Sequence, residues 1–395
     1  MRDFIYQSPT KIIFGKGGEL KTGQEIAALG RSRVMIHYGG ASAERSGLLN
    51  RLREVLRQAG LSVVELGGVV PNARLEKVYE GIKLGLAEGV DFVLGVGGGS
   101  VIDSAKSIAV GLANPQMDIW DIYERREAVP ACADVGCVVT IPAAGSEFSQ
   151  AAVLTNEATN TKKGYASPLI RLKFSVLNPE LTYSLPARQT AAGVVDIMMH
   201  TMDKYLTVSD HNELSDALSE ALLRVVIKNG PVAVARPDDY EARSELLWAG
   251  ALSQNDILGL GAVKDSASHQ IEHELSGLFD VTHGAGLAAI WGSLARYVYQ
   301  RDVMRFCQYA VNVWGCPMDY RHPETTAMEG IARTEAFFSS LGMPVTIGQL
   351  GVGHLSEEQI EEMADKCVHH GRRTVGALRV LDKNDVIAVY NLANH

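Results

Sequence analysis

In the first half of the chain, short β-branched runs alternate with stretches whose apolar positions recur at helical spacing. Arg33-Val34-Met35-Ile36-His37-Tyr38 predicts a strand that stops at Gly39-Gly40. Leu49, Leu52, Val55 and Leu56 then line one face of a helix over 48–60, with Gly60 where a helix stop belongs. A second strand is predicted over 61–66 and a second helix over 75–89. The stretch 91–96 is nearly all apolar, as a strand covered on both faces of a parallel sheet requires. This βαβα rhythm predicts a doubly wound, mostly parallel sheet with right-handed crossovers. Beyond Pro186 the period changes to helices over 187–206, 212–228, 240–258, 263–279 and 284–299. Proline suits the first turn of a helix, so the reading divides the chain into an α/β domain, 1–186, and an all-α domain, 187–395.

Composition narrows the classes. A chain of 395 residues exceeds one ordinary core, and 46% hydrophobic with 21% charged residues is a globular balance. The 37 basic and 46 acidic side chains leave a net charge of −9 with no basic run, which argues against a nucleic-acid partner. Nowhere do about 18 apolar residues run together, so no membrane span is expected, and the start reads as no secretory signal. Cys132, Cys137, Cys307, Cys316 and Cys367 are odd in number and form no CxxC pair. Buried reduced thiols and a cytoplasmic location follow as expectations.

The strand over 91–96 runs into Gly97-Gly98-Gly99-Ser100-Val101-Ile102-Asp103-Ser104-Ala105-Lys106. Glycines there allow close approach of a pyrophosphate, and the N–H groups opening the next helix supply donors. Neither GxGxxG nor GxxxxGK[ST] fits, and a tight turn that binds nothing is the alternative. The second glycine turn, Tyr38-Gly39-Gly40-Ala41-Ser42, has no acid before Glu44, and Arg45 lies close by. A carboxylate at such a strand end holds a ribose 2′-OH, so its lack leans towards NADP, with NAD also possible.

Asp196 and His200 lie four apart on one predicted helix face, and His269 and His273 do so on another, with His283 ten residues beyond in Thr282-His283-Gly284-Ala285-Gly286. One carboxylate with two or three imidazoles suits Zn²⁺ or Fe²⁺, although any one histidine alone is more often structural. His269-Gln270-Ile271-Glu272-His273 also matches the inverted zinc-peptidase signature. That reading leaves the glycine turns and the Asp196/His200 pair idle, and it makes Glu272 a base where an outward-facing helix residue is the simpler expectation.

Taken together, these residues resemble the iron-containing (group III) alcohol dehydrogenase family over essentially the whole chain. The run begins at Phe14-Gly15-Lys16-Gly17 and passes through Pro71-Asn72, GGGSVIDSAK and Thr140-Ile141-Pro142-Ala143-Ala144-Gly145-Ser146-Glu147, then Asp196/His200 and the block from His269 to Gly286. The Tyr-Gly-Gly-x-Ser turn and the HGAGLA run look closest to the butanol dehydrogenase and broad aldehyde reductase branch. The resemblance implies a two-domain architecture of the dehydroquinate synthase type, an active site in the cleft between the domains, and a homodimer. It assigns the metal, Fe²⁺ or Zn²⁺, to Asp196, His200, His269 and His283, and makes His273 the histidine beside the nicotinamide. Gly39, Ser42, Asn72, Gly98, Gly99, Ser100, Asp103, Thr140 and Lys162 match cofactor-contacting positions. Ala41 departs from a third glycine in many relatives, which would cost close approach if the turn needs positive φ.

The expected activity is metal-dependent, NAD(P)-linked oxidation of small primary alcohols and reduction of aldehydes, with His273 as proton conduit. A lyase resembling dehydroquinate synthase would need a basic cluster beside the metal, where the ligand helices offer Ile197, Met198, Ile271 and Leu275. A redox-sensing or filament-forming protein that keeps its ligands without turnover is the third class.

Overall fold

Strands β2 (Arg33–Tyr38), β4 (Phe92–Gly97) and β5 (Asp134–Val139) form the middle of a six-stranded sheet, and every residue of β4 and β5 is buried. Apart from Asp134 at its start, neither β4 nor β5 carries a charged side chain, as strands covered on both faces require. The sheet is parallel throughout, in the order β1 (Lys11–Phe14), β8 (Phe174–Leu177), β5, β4, β2, β3 (Ser62–Leu66). The computed structural model describes residues 1–125, 128–208 and 211–395.

Helices α1 (Thr22–Ala28), α2 (Ser42–Arg45) and α3 (Leu48–Gln58) follow β1 and β2. Leu49, Leu52 and Leu56 of α3 pack with Ile36, Leu94 and Val176 in one core. Helices α4 (Leu75–Glu88) and α5 (Gly99–Ala113) cross so closely that a Cβ on Gly81 would lie 2.3 Å from Ile108 Cδ1. Helix α6 (Ile119–Arg125) precedes β5, and an antiparallel hairpin, β6 (Ala151–Asn156) and β7 (Thr161–Ala166), stands apart from the sheet. The chain order reverses between β2 and β4, so the turns after these strands flank the switch point where parallel sheets bind ligands.

The second unit is helical: α7 (Ala187–Tyr205), α8 (Glu213–Ala235), α9 (Tyr240–Ser253), α10 (Ala267–Phe279), α11 (His283–Val298), α12 (Val303–Trp314), α13 (Pro323–Ser340), α14 (Glu357–Cys367) and α15 (Lys383–Ala393). The two compact units comprise Gln7–Leu185 and Met1–Tyr6 with Pro186–His395. The first six residues therefore belong with the helices: Arg2 N donates to Gly261 O at 3.0 Å. Helix α8 also outruns its expected end at 228, carrying Pro231 inside it. Helix α10 starts four residues after the expected 263, because Ser266 sits at φ 84° and breaks the run. No described helix is long and apolar enough to cross a membrane.

Candidate metal centre and dinucleotide turn

Helical spacing places Asp196, His200 and Asp203 of α7 on one buried face. Helix α10 does the same with His269, Glu272 and His273, and α11 opens with His283. Helices α7 and α11 meet tightly, since a Cβ on Gly284 would lie 2.1 Å from Ala192 O. The result is one carboxylate oxygen ringed by imidazoles. Asp196 Oδ1 lies 3.2 Å from His200 Nε2 and 3.8 Å from both His269 Nε2 and His283 Nε2. The His200 and His269 rings stack at 4.2 Å.

Asp196 Oδ1 and His269 Nε2 are nonetheless buried without a hydrogen bond. Leaving such atoms unpaired costs about 1–3 kcal/mol each, so a protein keeps them only for another partner. Three imidazole nitrogens converging with one carboxylate oxygen are a donor set for Zn²⁺ or Fe²⁺. Burial lowers the His269 imidazole, but Asp203 and Asp196 outweigh it and push it up to about 9. Burial and the adjacent His269 hold His200 well below its usual range. A divalent cation would resolve this conflict by replacing the proton at the centre of the group.

Behind the ring stands a second layer that the sequence reading missed. Asp203 Oδ2 accepts from His269 Nδ1 at 2.6 Å and Oδ1 accepts from Ser268 Oγ at 2.6 Å. Glu272 accepts from His283 Nδ1 and from Ser276 Oγ. Glu272 is fully buried, which corrects the expectation of an outward-facing residue. Gly286 makes the room: a Cβ there would lie 2.6 Å from Glu272 Oε1. Asp203, seven residues after Asp196, was detectable as an acid recurring on the ligand face. His273 is half-buried, with its ring centroid 5.7 Å from that of His283.

In the α/β unit, Gly98 caps α5 without a side-chain bond, leaving the N–H groups of Gly99 and Ser100 for an anion. Close packing explains the glycines. Cβ atoms on Gly98 and Gly99 would each lie 2.8 Å from Ile141 Cδ1 and Ala144 Cβ, respectively. Thr140 N donates to Gly97 O at 3.0 Å, joining the ends of β4 and β5. Asp103 is committed within the unit: Oδ1 accepts from Ser146 Oγ at 2.5 Å and Oδ2 from Val153 N at 2.9 Å. Buried Lys106 gives hydrogen bonds to Ser146, Ser149 and Ala151 beside it. Lys162 on β7 donates to Asn72 Oδ1 at 3.1 Å, and Asn72 itself adopts φ 57°.

The turn after β2 differs from expectation in one respect. Ala41 has φ −69°, so no positive φ is needed and alanine costs nothing there. Gly39 O accepts from Gly68 N at 3.0 Å, while a Cβ on Gly40 would meet nothing within 4 Å. Glu44 is held by Arg53 at 3.0 Å rather than by Arg45.

Comparison with known proteins shows the family. The family model for iron-containing alcohol dehydrogenase matches residues 9–179, and that for the C-terminal region of the Fe-containing alcohol dehydrogenase family matches 190–394. The chain therefore belongs to the iron-containing alcohol dehydrogenase family, and it is an enzyme of the oxidoreductase class. It is 39% identical to NADH-dependent butanol dehydrogenase A of Clostridium acetobutylicum, covering 99% of each chain. It is 34% identical to NADPH-dependent aldehyde reductase YqhD of Escherichia coli, covering 95% of each. The crystal structure of NADH-dependent butanol dehydrogenase A from Thermotoga maritima superposes with a TM-score of 0.95 at 34% identity, over 100% of this chain and 99% of that one.

Proposed function

We propose that this chain is a divalent-metal-dependent, NAD(P)-linked alcohol dehydrogenase and aldehyde reductase for small primary alcohols and aldehydes. Asp196, His200, His269 and His283 would hold Fe²⁺ or Zn²⁺. The observation that carries the metal is Asp196 Oδ1, buried without a hydrogen bond among three imidazole nitrogens within 3.8 Å. Relatives named for butanol and aldehydes support the substrate size.

When bound, the ion supplies Lewis acidity towards the substrate oxygen and the nicotinamide supplies the hydride. The chain's own groups do the rest. Asp203 and Glu272 accept hydrogen bonds from Nδ1–H of His269 and His283, which leaves each Nε2 lone pair facing Asp196. His273 passes the proton between the substrate oxygen and solvent, a task suited to an imidazole. The uncapped start of α5 receives the pyrophosphate through Gly99 and Ser100. The Gly39–Ser42 turn reads the 2′ end. It offers no carboxylate, and Glu44 is engaged by Arg53, which supports NADPH as the preferred cofactor with NADH also used. Unpaired thiols, four of the five buried, support a reducing, cytoplasmic setting.

The other readings fit less well. A peptidase needs Glu272 facing water, whereas it is buried against His283 and Ser276. A lyase for a polyanion needs several cations free to face the metal, whereas Lys204 on α7 gives its hydrogen bonds to His200 O, Ser253 O and Gln254 Oε1.

Elemental analysis of the as-isolated protein, with butanal reduction by NADPH and NADH, tests the proposal. The wild type should hold close to one Fe or Zn per chain and turn over, and His269→Ala and His283→Ala should lose both metal and activity. A His269 or His283 variant retaining both in full would overturn it.

A further inference from the structure

A 2′-phosphate calls for a cation, and the Gly39–Ser42 turn carries none of its own. The cations around it differ in how free they are. The Arg53 guanidinium is engaged by Glu44 and Glu65 at 2.8 to 3.0 Å. Arg51 pairs with buried Glu19 at 3.3 Å. Arg45 is exposed on α2, with no side-chain bond among the described residues to fix it beside the turn. Lys77 is placed differently. It stands in the first turn of α4, where a cation opposes the helix dipole, so local helix preference does not account for it. Its side chain is only 22% exposed. A Cβ on Gly68 would lie 3.5 Å from Lys77 Nζ, and Gly68 N donates to Gly39 O at 3.0 Å. The ammonium is thus one hydrogen-bonded residue away from the turn. It is also within electrostatic reach of His37, the last residue but one of β2. Lys77 Nζ donates to Glu80 at 2.5 Å, and that carboxylate side chain is more than half exposed. An exposed pair of this kind contributes little and exchanges partners readily.

We infer that Lys77 is a specificity-determining residue for the cofactor: its ammonium leaves Glu80 to pair with the 2′-phosphate of NADPH, and with NADH it stays on Glu80. This inference rests on the reading above that the Gly39–Ser42 turn takes the 2′ end. The ammonium keeps an anionic partner in both complexes, which fits a preference for NADPH with NADH still used. Glu80 competes with the phosphate for the same ammonium, so it limits the preference that Lys77 creates. In the sequence Lys77 and Glu80 read as an ordinary helix-surface pair three residues apart. Only the approach of Lys77 to Gly68 sets them apart.

The test compares adenosine 2′,5′-bisphosphate with 5′-AMP, which differ by the 2′-phosphate alone. Each is titrated calorimetrically into the full-length protein, so neither metal content nor turnover enters the readout. The quantity read is the ratio of the two affinities. Wild type should favour the bisphosphate about tenfold, as one hydrogen bond between charged groups provides. Lys77→Gln should bring the ratio close to one, and Lys77→Arg should restore most of it. Glu80→Gln should raise the ratio several-fold above wild type, a gain that a merely structural ion pair would not give. A wild-type ratio retained in Lys77→Gln, including one retained while both affinities fall together, overturns the inference. So does a ratio in Glu80→Gln equal to or below wild type. A wild type that binds the two nucleotides equally would bring down the reading of the turn itself, and the inference with it.

Discussion

His37 ties the β2 strand to its neighbours, and protonating it should loosen the α/β unit over a defined pH window. Its Nδ1–H donates to Leu66 O at 2.9 Å and its Nε2 accepts from Ser104 Oγ at 2.8 Å, with the side chain fully buried. Burial is the main cause that lowers its pKa from 6.5 to about 4, partly offset by the Leu66 bond. The unfolded chain therefore binds a proton between these values that the folded chain refuses, and stability falls as pH drops through the window. The full difference of 2.5 pK units is worth about 3.4 kcal/mol at 1.36 kcal/mol each. About 2 kcal/mol of it is already lost at pH 5 relative to pH 8. For a unit of this size that lowers the unfolding temperature by roughly 4–8 °C. The assay is thermal unfolding by calorimetry from pH 8 to pH 4.5, comparing wild type with His37→Asn. The variant starts less stable at pH 8, and the gap should close by about 2 kcal/mol on reaching pH 5. Parallel curves across the range would refute the reasoning.

Three further outcomes are expected. His273→Ala should keep its metal by elemental analysis while kcat falls roughly 10²-fold and its pH profile changes, as loss of a proton-transfer group requires; loss of the metal would make His273 a ligand. Gly40→Asp should reverse the preference for NADPH, because a side chain there meets nothing within 4 Å and its carboxylate repels the 2′-phosphate; a kcat/KM ratio no different from wild type would place the 2′ end elsewhere. Gly98→Ala should destabilise the α/β unit by about 1–3 kcal/mol and weaken cofactor binding, since its Cβ meets Ile141 at 2.8 Å; unchanged denaturation and dinucleotide titration would show that the turn can give way.

The parts of the molecule legible in the sequence are those that repeat. The aliphatic run of β4, the leucines of α3 and the four-residue spacings of Asp196/His200 and His269/His273 each follow one geometric period, and the structure places them as that period requires. What escaped has no period to read. Hairpin β6 and β7 carries small and polar residues whose partner is Asp103 on α5, a contact fifty residues back along the chain. Glu272 reads as a surface acid until Gly286, fourteen residues later, is seen to open a space for it. Asp103 matched a cofactor position by resemblance, and its bonds from Ser146 and Val153 are an arrangement that only tertiary structure reveals.

The unequal crowding of the two glycine turns bears on how enzymes of this kind diversify. The turn after β4 is locked: side chains added at Gly97, Gly98 or Gly99 run into Val101, Ile141 or Ala144. A side chain at any of the three forces a neighbour to move, so the turn keeps its shape only with glycine there. Gly40 faces open space and tolerates new side chains without repacking its neighbours. If that turn reads the 2′ end as proposed, one substitution at Gly40 would change cofactor choice without repacking the fold. Relatives of similar identity that are named for NADH and for NADPH are the pattern such a freely adjustable turn would leave behind.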